Sequence, residues 1–101
     1  MLKTKRMNII IKDVNFNADA NLLEFTRKKA EKIFNLYDGI QGVEVNLKLE
    51  SNKELENKTA EIRVIVPGND LYASKTDKTF EGATDSSIMA LRKQVERLKA
   101  K

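Results

Sequence analysis

The chain has 101 residues, of which 41% are hydrophobic, a net charge of +4, and neither cysteine nor histidine. This length allows one domain with a single core, and this composition excludes a disordered chain. The absence of cysteine excludes disulfides and thiolate zinc sites, and the absence of histidine removes the commonest general base and metal ligand. We therefore expect no enzymatic activity, no metal and no cofactor.

The N-terminal segment lacks the usual targeting signals. Residues 1–6 are basic, and the apolar run that follows, three isoleucines at residues 9–11, is too short for a signal peptide or a membrane span. We expect a cytoplasmic protein without a membrane partner. The predicted organisation is a single domain over residues 1–101, with residues 1–6 as a loose basic tail.

A strand and a helix are predicted for the first third of the chain. Three consecutive isoleucines favour a strand over residues 7–12, followed by a turn-rich link whose Phe16 is expected in the core. Asp19 is a typical helix N-cap, and residues 21–37 follow as the helix, which an Asp-Gly pair ends with a left-handed cap at Gly39. The apolar stripe of this helix consists of Leu22, Thr26, Ala30, Ile33 and Tyr37.

Three strands are predicted for the middle of the chain. Residues 43–50 and 59–66 both alternate apolar and polar side chains, which is typical of strands with one buried face. A polar hairpin loop over residues 51–58 joins them. The Pro-Gly-Asn-Asp sequence at residues 67–70 is a strong turn signal, and residues 71–75 are predicted as the fourth strand.

The C-terminal residues 79–101 are predicted to form one long amphipathic helix. Thr79 can cap its start, because a threonine hydroxyl can accept a hydrogen bond from a free N–H of the first turn. Seven side chains recur at helical spacing and form an apolar stripe: Phe80, Thr84, Ser87, Ile88, Leu91, Val95 and Leu98.

The predicted order of elements is β-α-β-β-β-α. A helix between the first two strands implies a crossover connection, and the two short links that follow imply antiparallel hairpins. The strands after the first each have one apolar face, and two amphipathic helices are available to cover it. The sequence therefore predicts an α+β fold, a two-layer sandwich in which two helices pack on one face of a four-stranded sheet.

Positive charge is concentrated on the two predicted helices. Residues 27–32 contain four cations and one acid, and residues 92–101 contain five cations and one acid, whereas residues 38–58 contain three cations and five acids. With both helices on one side of the sheet, their basic flanks could merge into a patch that faces nucleic acid or another acidic surface. A solvated helix face without a ligand is the plain alternative.

Several stretches together resemble a known family. The helix sequence LEFTRKKAEKIFNLYDGI, the strand VEVNLKLE and the ending LRKQVERLKAK resemble the short-form ribosome hibernation promoting factors and the related ribosome-associated inhibitor A, over residues 8–99. The resemblance implies a layout similar to double-stranded-RNA-binding domains. It also implies binding to the small ribosomal subunit in the channel where mRNA and tRNA would sit, which silences translation in resting cells.

The resemblance implies RNA-contacting cations on both helices. The family's basic residues match two lysines of the first helix and a lysine and an arginine of the last, and three further cations are expected to support them. These are Lys29, Lys32, Lys93 and Arg97, supported by Lys28, Arg92 and Lys99. Their role would be contact with rRNA phosphates, which gives affinity with little base specificity.

Two positions depart from the family's pattern. Ala90 stands where the family often has a lysine, and Arg92 could supply that charge from a different side of the helix. The start of the last helix, Thr79-Phe80-Glu81, lacks the usual tyrosine. The expected partner is the rRNA of the small ribosomal subunit, with whole ribosomes or ribosome dimers left open. We expect no small-molecule substrate and a monomer off the ribosome.

Two rival interpretations follow from the residues alone. One is a general structured-RNA-binding module that is not specific to ribosomes. The other is an interaction domain that does not bind RNA, whose basic flanks only keep it soluble.

Overall fold

The computed structural model describes residues 8–50 and 55–100. The predicted basic tail at residues 1–6 lies outside the described residues, as do the predicted first residue of the first strand and residues 51–54 of the hairpin loop. Within the described part of the chain, no helix is long and apolar enough to cross a membrane. The elements are β1 (Ile9–Val14), α1 (Ala20–Phe34), β2 (Gly42–Leu49), β3 (Lys58–Ile65), β4 (Leu71–Asp77) and α2 (Phe80–Lys99).

The four strands form one mixed sheet in the order β1-β2-β3-β4. β1 runs parallel to β2, which requires the crossover that contains α1, whereas β2, β3 and β4 pair antiparallel through short links. α1 packs on β1 and β2, α2 packs on β3 and β4, and the two helices contact each other. The predicted fold class, a two-layer α+β sandwich with both helices on one face, is confirmed.

The core lies between the sheet and the helices, where the alternating strands place their apolar side chains. Val45 of β2 is opposite Ile62 of β3, and Ile62 is opposite Ala73 of β4, so one buried row crosses the sheet. Leu91 of α2 is completely buried. Burial of such side chains supplies the main driving force for folding.

Three buried hydroxyl groups lie within this apolar layer, and each donates a hydrogen bond. Thr26 and Thr84 donate to carbonyl oxygens one turn earlier in their own helices, at 2.8 and 2.7 Å. Ser87 of α2 donates to the Ala60 carbonyl oxygen of β3 at 2.9 Å, and this bond fixes the helix on the sheet. Among the described residues, no buried side-chain polar atom lacks a hydrogen-bond partner, which avoids the cost of desolvated polar groups.

The first helix begins as predicted but ends earlier. The Asp19 carboxylate accepts a hydrogen bond from the Leu22 N–H at 2.8 Å, so the predicted N-cap is confirmed. The helix ends at Phe34 rather than Tyr37, and the predicted left-handed cap at Gly39 is wrong, because Gly39 has no positive φ. A Cβ at Gly39 would instead lie 2.5 Å from the Tyr37 ring. The glycine allows the ring to approach the backbone.

Two strands extend beyond their predicted ends. β1 continues to Val14, since Asp13 and Val14 keep their pairing with β2. β4 continues to Asp77, and the Thr76 hydroxyl forms a 2.7 Å hydrogen bond with the Thr59 hydroxyl of β3. The turn between β3 and β4 is where it was predicted, with a positive φ of 92° at Gly68, a conformation that favours glycine.

The second helix has the predicted cap, and six of the seven predicted stripe residues are buried, whereas Leu98 near its end is half-buried. The Thr79 hydroxyl accepts a hydrogen bond from the Gly82 N–H at 2.9 Å. Phe80 opens the buried stripe and stacks on Phe16 with ring centroids 4.4 Å apart. Phe16 therefore packs against the core, as predicted.

A glutamine of α2 covers part of the sheet edge. β4 is an edge strand, and the backbone of Tyr72 faces away from β3. The Gln94 side chain accepts a hydrogen bond from the Tyr72 N–H at 3.3 Å and donates one to the Tyr72 carbonyl oxygen at 2.7 Å. The amide thus makes the two bonds that a neighbouring strand would make.

The burial of Leu91 leads to a stability prediction. We expect Leu91→Ala to lower the free energy of unfolding by about 2–5 kcal/mol, because it removes a buried side chain and leaves a cavity. Leu23→Ala, the same substitution at a side chain that is 39% exposed, should change it by less than about 1 kcal/mol. Urea unfolding of both variants measures the difference, and equal losses would contradict this account of the core.

Candidate nucleic-acid interface

Two grooves border α2 on the helix side of the molecule and contain most of the predicted cations. The interhelix groove, between α1 and α2, is lined by Lys29, Lys32, Ile33, Leu36, Asp85, Ile88, Met89 and Arg92. The flank groove, between α2 and β4, is lined by Lys75, Ser86, Met89, Ala90, Lys93, Gln94 and Arg97. Met89 lines both grooves, which therefore adjoin and form one basic surface.

The helical geometry of α2 divides its cations between the grooves. Arg92 and Lys93 are consecutive and therefore point to different sides, Arg92 into the interhelix groove and Lys93 into the flank groove. Arg97 follows Lys93 by four residues and lies on the same side. Ala90 lines the flank groove. Arg92 therefore places its charge in the other groove, and not beside Ala90, where the family often has a lysine.

Lys29 is held in position by two neighbours. Its ammonium nitrogen lies 3.1 Å from Asp85 Oδ1, which joins the two helices across the interhelix groove. The same nitrogen lies 5.3 Å from the centroid of the Phe25 ring, within range of a cation–π interaction. The lysine is thus partly neutralised and its position is restricted.

The other predicted cations of the two grooves have no acidic partner in the part of the chain that the structure describes. Within residues 8–50 and 55–100, the salt bridges at up to 4.0 Å involve neither Lys32 and Arg92 of the interhelix groove nor Lys93 and Arg97 of the flank groove. All four residues are exposed. Unpaired, exposed cations leave a positive potential at this surface.

Two of the predicted cations lie away from the grooves. Lys28 is outside both grooves but lines a depression on α1 together with Lys29 and Lys32. Its nitrogen lies 3.6 Å from Glu24, and both side chains are largely exposed. Such an exposed pair contributes little to stability. Lys99 is in the last turn of α2, where a cation interacts favourably with the helix dipole. The two grooves therefore contain five of the seven predicted residues.

Lys75 is a groove residue that the sequence analysis did not single out. It is opposite Ala60 in the sheet and so faces the helix layer, yet it is exposed because β4 is an edge strand. It lines the flank groove with Lys93 and Arg97. The signal was available in the sequence, since strict alternation from Ala73 places Lys75 on the same side of the strand.

The outer face of the sheet has a different electrostatic character. Lys48 pairs with Glu61 at 3.1 Å, and Arg63 pairs with Glu44 at 3.6 Å and with Asp70 at 3.7 Å. Lys12, opposite Asn46 on this face, has no acid within 4.0 Å among the described residues. The hydrogen bond to Glu61 and the charge of that carboxylate raise the pKa of Lys48 above its usual value. Positive potential is therefore concentrated on the helix side.

Apolar side chains on the outer face are separated from one another. Ile10 and Tyr72 are both exposed, and they are the two ends of one row in which Glu44 and Arg63 lie between them. A charged pair thus divides the row, so these residues form no continuous apolar patch. In the described part of the chain, no group of three or more potential ligands is placed to hold a metal ion.

The fold and the basic surface define a small α+β domain with a cationic helical side. The sequence profile of the family described as Sigma 54 modulation protein / S30EA ribosomal protein matches residues 9–101. The chain belongs to this family, which is a family of ribosome-associated proteins. The resemblance to the hibernation factors in the sequence is confirmed.

Solved structures support the same assignment of the fold. A ribosomal subunit interface protein from Coxiella burnetii is 24% identical, with a TM-score of 0.80 over 93% of this chain and 99% of that chain. The N-terminal domain of protein Y from Thermus thermophilus is 25% identical, with a TM-score of 0.74 over 90% of this chain and 98% of that one. No curated protein sequence matches the chain significantly.

The paired outer face leads to a prediction about the pKa of Lys48. We expect Glu61→Gln to lower that pKa, because the substitution removes the charged hydrogen-bond partner that raises it. An NMR titration of the lysine side chain measures the change. Glu44→Gln, which removes a carboxylate that pairs with Arg63 instead, is the matched control and should leave the pKa of Lys48 nearly unchanged.

The sign of the associated stability effect follows from the raised pKa. The stabilisation from the Lys48–Glu61 pair is fully present below the pKa of an unfolded lysine. It is lost as the pH rises through the higher pKa of the folded state. If the pKa of Lys48 were the same in the wild type and Glu61→Gln, the pair would not form in solution.

Proposed function

We propose that this chain binds the small ribosomal subunit in the channel that mRNA and tRNA occupy, and thereby blocks translation in resting cells. The contacts would be made by the basic surface of the two helices with rRNA phosphates. The protein would act in the cytoplasm and would be a monomer off the ribosome. Lys32, Arg92, Lys93 and Arg97 would be the main contacts, with Lys28, Lys29 and Lys99 in support.

The observation that carries the proposal is the set of unpaired cations in the two adjoining grooves. On the outer face of the sheet Lys48 and Arg63 are balanced by acids. In the grooves, Lys32, Arg92, Lys93 and Arg97 have no acid within 4.0 Å in the described residues. Lysine and arginine bind phosphates and release the condensed counterions of RNA. Lys75 extends this surface onto β4 and joins the proposed contacts.

The geometry suits recognition of folded RNA by its shape. The grooves are formed by the two helices and the edge strand β4. The helices are fixed to the sheet, so the spacing of the cations is set by the core rather than by flexible loops. Proteins recognise structured RNA mainly through its shape and its backbone. A rigid surface of this kind favours one RNA geometry over others even when its contacts carry no sequence information.

The family and the names of the similar structures indicate the ribosome as the partner. One of those structures is a ribosomal subunit interface protein, and the family includes the S30EA ribosomal protein. The choice of the small subunit and of its mRNA and tRNA channel rests on the resemblance found in the sequence. A protein lodged in that channel would exclude both RNAs by occupying their space.

Co-sedimentation with purified small ribosomal subunits tests the proposal, with excess duplex RNA as the competitor. We expect saturable binding that duplex RNA does not displace. Equal partition between subunits and duplex would favour the alternative, a general structured-RNA-binding module, because it would show that the spacing of the cations does not select one RNA geometry. Binding to neither would leave the basic surface as a solvated face and would discard the proposal.

A charge-reversal variant tests whether the cations of the two grooves bind the small ribosomal subunit. We expect the triple variant Lys32→Glu, Lys93→Glu and Arg97→Glu to bind subunits roughly 100-fold more weakly, because each substitution replaces a phosphate contact by repulsion. Lys29 is left unchanged because its pair with Asp85 joins the helices. Circular dichroism should show an intact fold, since all three positions are exposed.

The control carries the same change of charge away from the grooves. Lys12→Glu, Lys58→Glu and Lys78→Glu together also lower the net charge of +4 by six, to −2. This variant should keep most of its affinity. Equal losses in the two triple variants would mean that net charge, rather than this surface, determines binding.

The salt dependence of binding tests the phosphate mechanism separately. With roughly five to seven phosphate contacts, we expect the affinity for subunits to fall about a thousandfold between about 50 and about 200 mM monovalent salt. The groove variant should show a slope smaller by about three, one unit for each lost contact. A flat response would exclude phosphate contacts as the source of affinity.

A further inference from the structure

The interhelix groove contains more than a phosphate-binding surface requires. Its inner wall is apolar, with Ile33 and Ile88 buried and Met89 64% exposed. Lys32 and Arg92 stand on opposite sides, on α1 and α2 respectively, and the groove has a volume of about 370 Å3. An apolar wall offers a phosphate neither charge nor hydrogen-bond donors, so it is suited to another part of a nucleotide.

The groove also contains an acid, which would repel phosphates. Among the described residues that line the two grooves, Asp85 is the one carboxylate. Its side chain is 51% exposed and is oriented by the Lys29 ammonium at 3.1 Å. An ionised carboxylate offers about four lone-pair sites, so this contact leaves acceptor capacity for a ligand that presents N–H groups.

We propose that the interhelix groove binds one unpaired guanine nucleotide of an RNA strand. The base would lie against the apolar wall, and the Asp85 carboxylate would accept hydrogen bonds from the guanine N1–H and N2–H groups. Lys32 and Arg92 would hold the adjoining phosphates, so that apolar, acidic and basic parts of the groove each have a complementary part of the ligand. This inference rests on the proposed binding of RNA and assigns a base-reading position within it.

Guanine is favoured because of the pattern of groups on its Watson–Crick edge. It presents two adjacent N–H donors, which match the two oxygens of one carboxylate. Adenine and cytosine each present an amino donor beside a ring nitrogen acceptor, and uracil presents one donor between two carbonyl acceptors. Acceptors placed against a carboxylate are repelled. Unpaired bases in RNA are commonly read on this edge while the ring stacks on a protein surface.

Fluorescence anisotropy with labelled RNA hexamers tests this assignment. The hexamers are oligouridine and variants with a single central guanosine, inosine, adenosine or cytidine. We expect the full chain to bind the guanosine hexamer about tenfold more tightly than oligouridine and the adenosine and cytidine hexamers, as for a bidentate contact to a base edge. Inosine lacks the N2 amino group and should fall between guanosine and adenosine.

Two matched substitutions separate base recognition from the structural role of the acid. Asp85→Asn keeps the shape, replaces one acceptor by a donor and removes the counter-charge of Lys29. It should therefore abolish the preference for guanosine while raising the affinity for oligouridine. Asp70→Asn makes the same change in an acid that pairs with Arg63 on the outer face, and it should retain the preference. An Asp85 that only oriented Lys29 would change the affinity for all hexamers equally.

Each result bears on one of the two proposals. Equal binding of all hexamers by the wild type, no binding of any hexamer, or a guanosine preference that survives Asp85→Asn would overturn the guanine site. Those results would leave the ribosome proposal standing if the chain still co-sediments with small subunits. Selective binding of the guanosine hexamer without co-sedimentation would support the guanine site in the interhelix groove. It would overturn the proposal that the small ribosomal subunit is the partner.

Discussion

The inner faces of β2 and β3 have to be covered along their whole width, and this requirement determines where both helices lie. Val45 and Ile62 are at the centre of the sheet and are buried. One helix cannot cover four strands, so α1 covers the parallel pair and α2 covers the hairpin that follows. The helices are then side by side, and their unburied flanks meet in the interhelix groove. The basic surface is a consequence of how the core is closed.

Most of the fold could be predicted because it depends on local patterns. Alternation identified β2 and β3, and the side chains of Asp19 and Thr79 cap the helices as expected, since a cap is formed within a few residues. The end of α1 could not be predicted in this way. Gly39 suggested a left-handed cap, whereas its function is to make room for the Tyr37 ring, a contact that depends on the folded chain.

The site was predictable in its residue types but not in its contacts. Helical spacing indicated which cations lie off the apolar stripes, and the structure brings most of them to two grooves. The pair between Lys29 and Asp85 joins residues on different helices, so no local pattern could show that one predicted phosphate contact is already engaged. The position of Lys75, in contrast, follows from a local pattern, because the alternation of β4 places it on the helix side. A single lysine in a short strand does not by itself predict a binding residue.

Gln94 connects the basic helix α2 to the edge of the sheet at β4. A strand edge with free hydrogen-bonding groups is a template on which further chains can assemble into larger sheets. By bonding to both backbone groups of Tyr72, the glutamine occupies part of that template within the molecule itself. A movement that lifted this turn of α2 from β4 would shift Lys93 and expose the edge in the same step. One amide side chain therefore couples the position of the flank-groove cations to the protection of this part of the sheet edge.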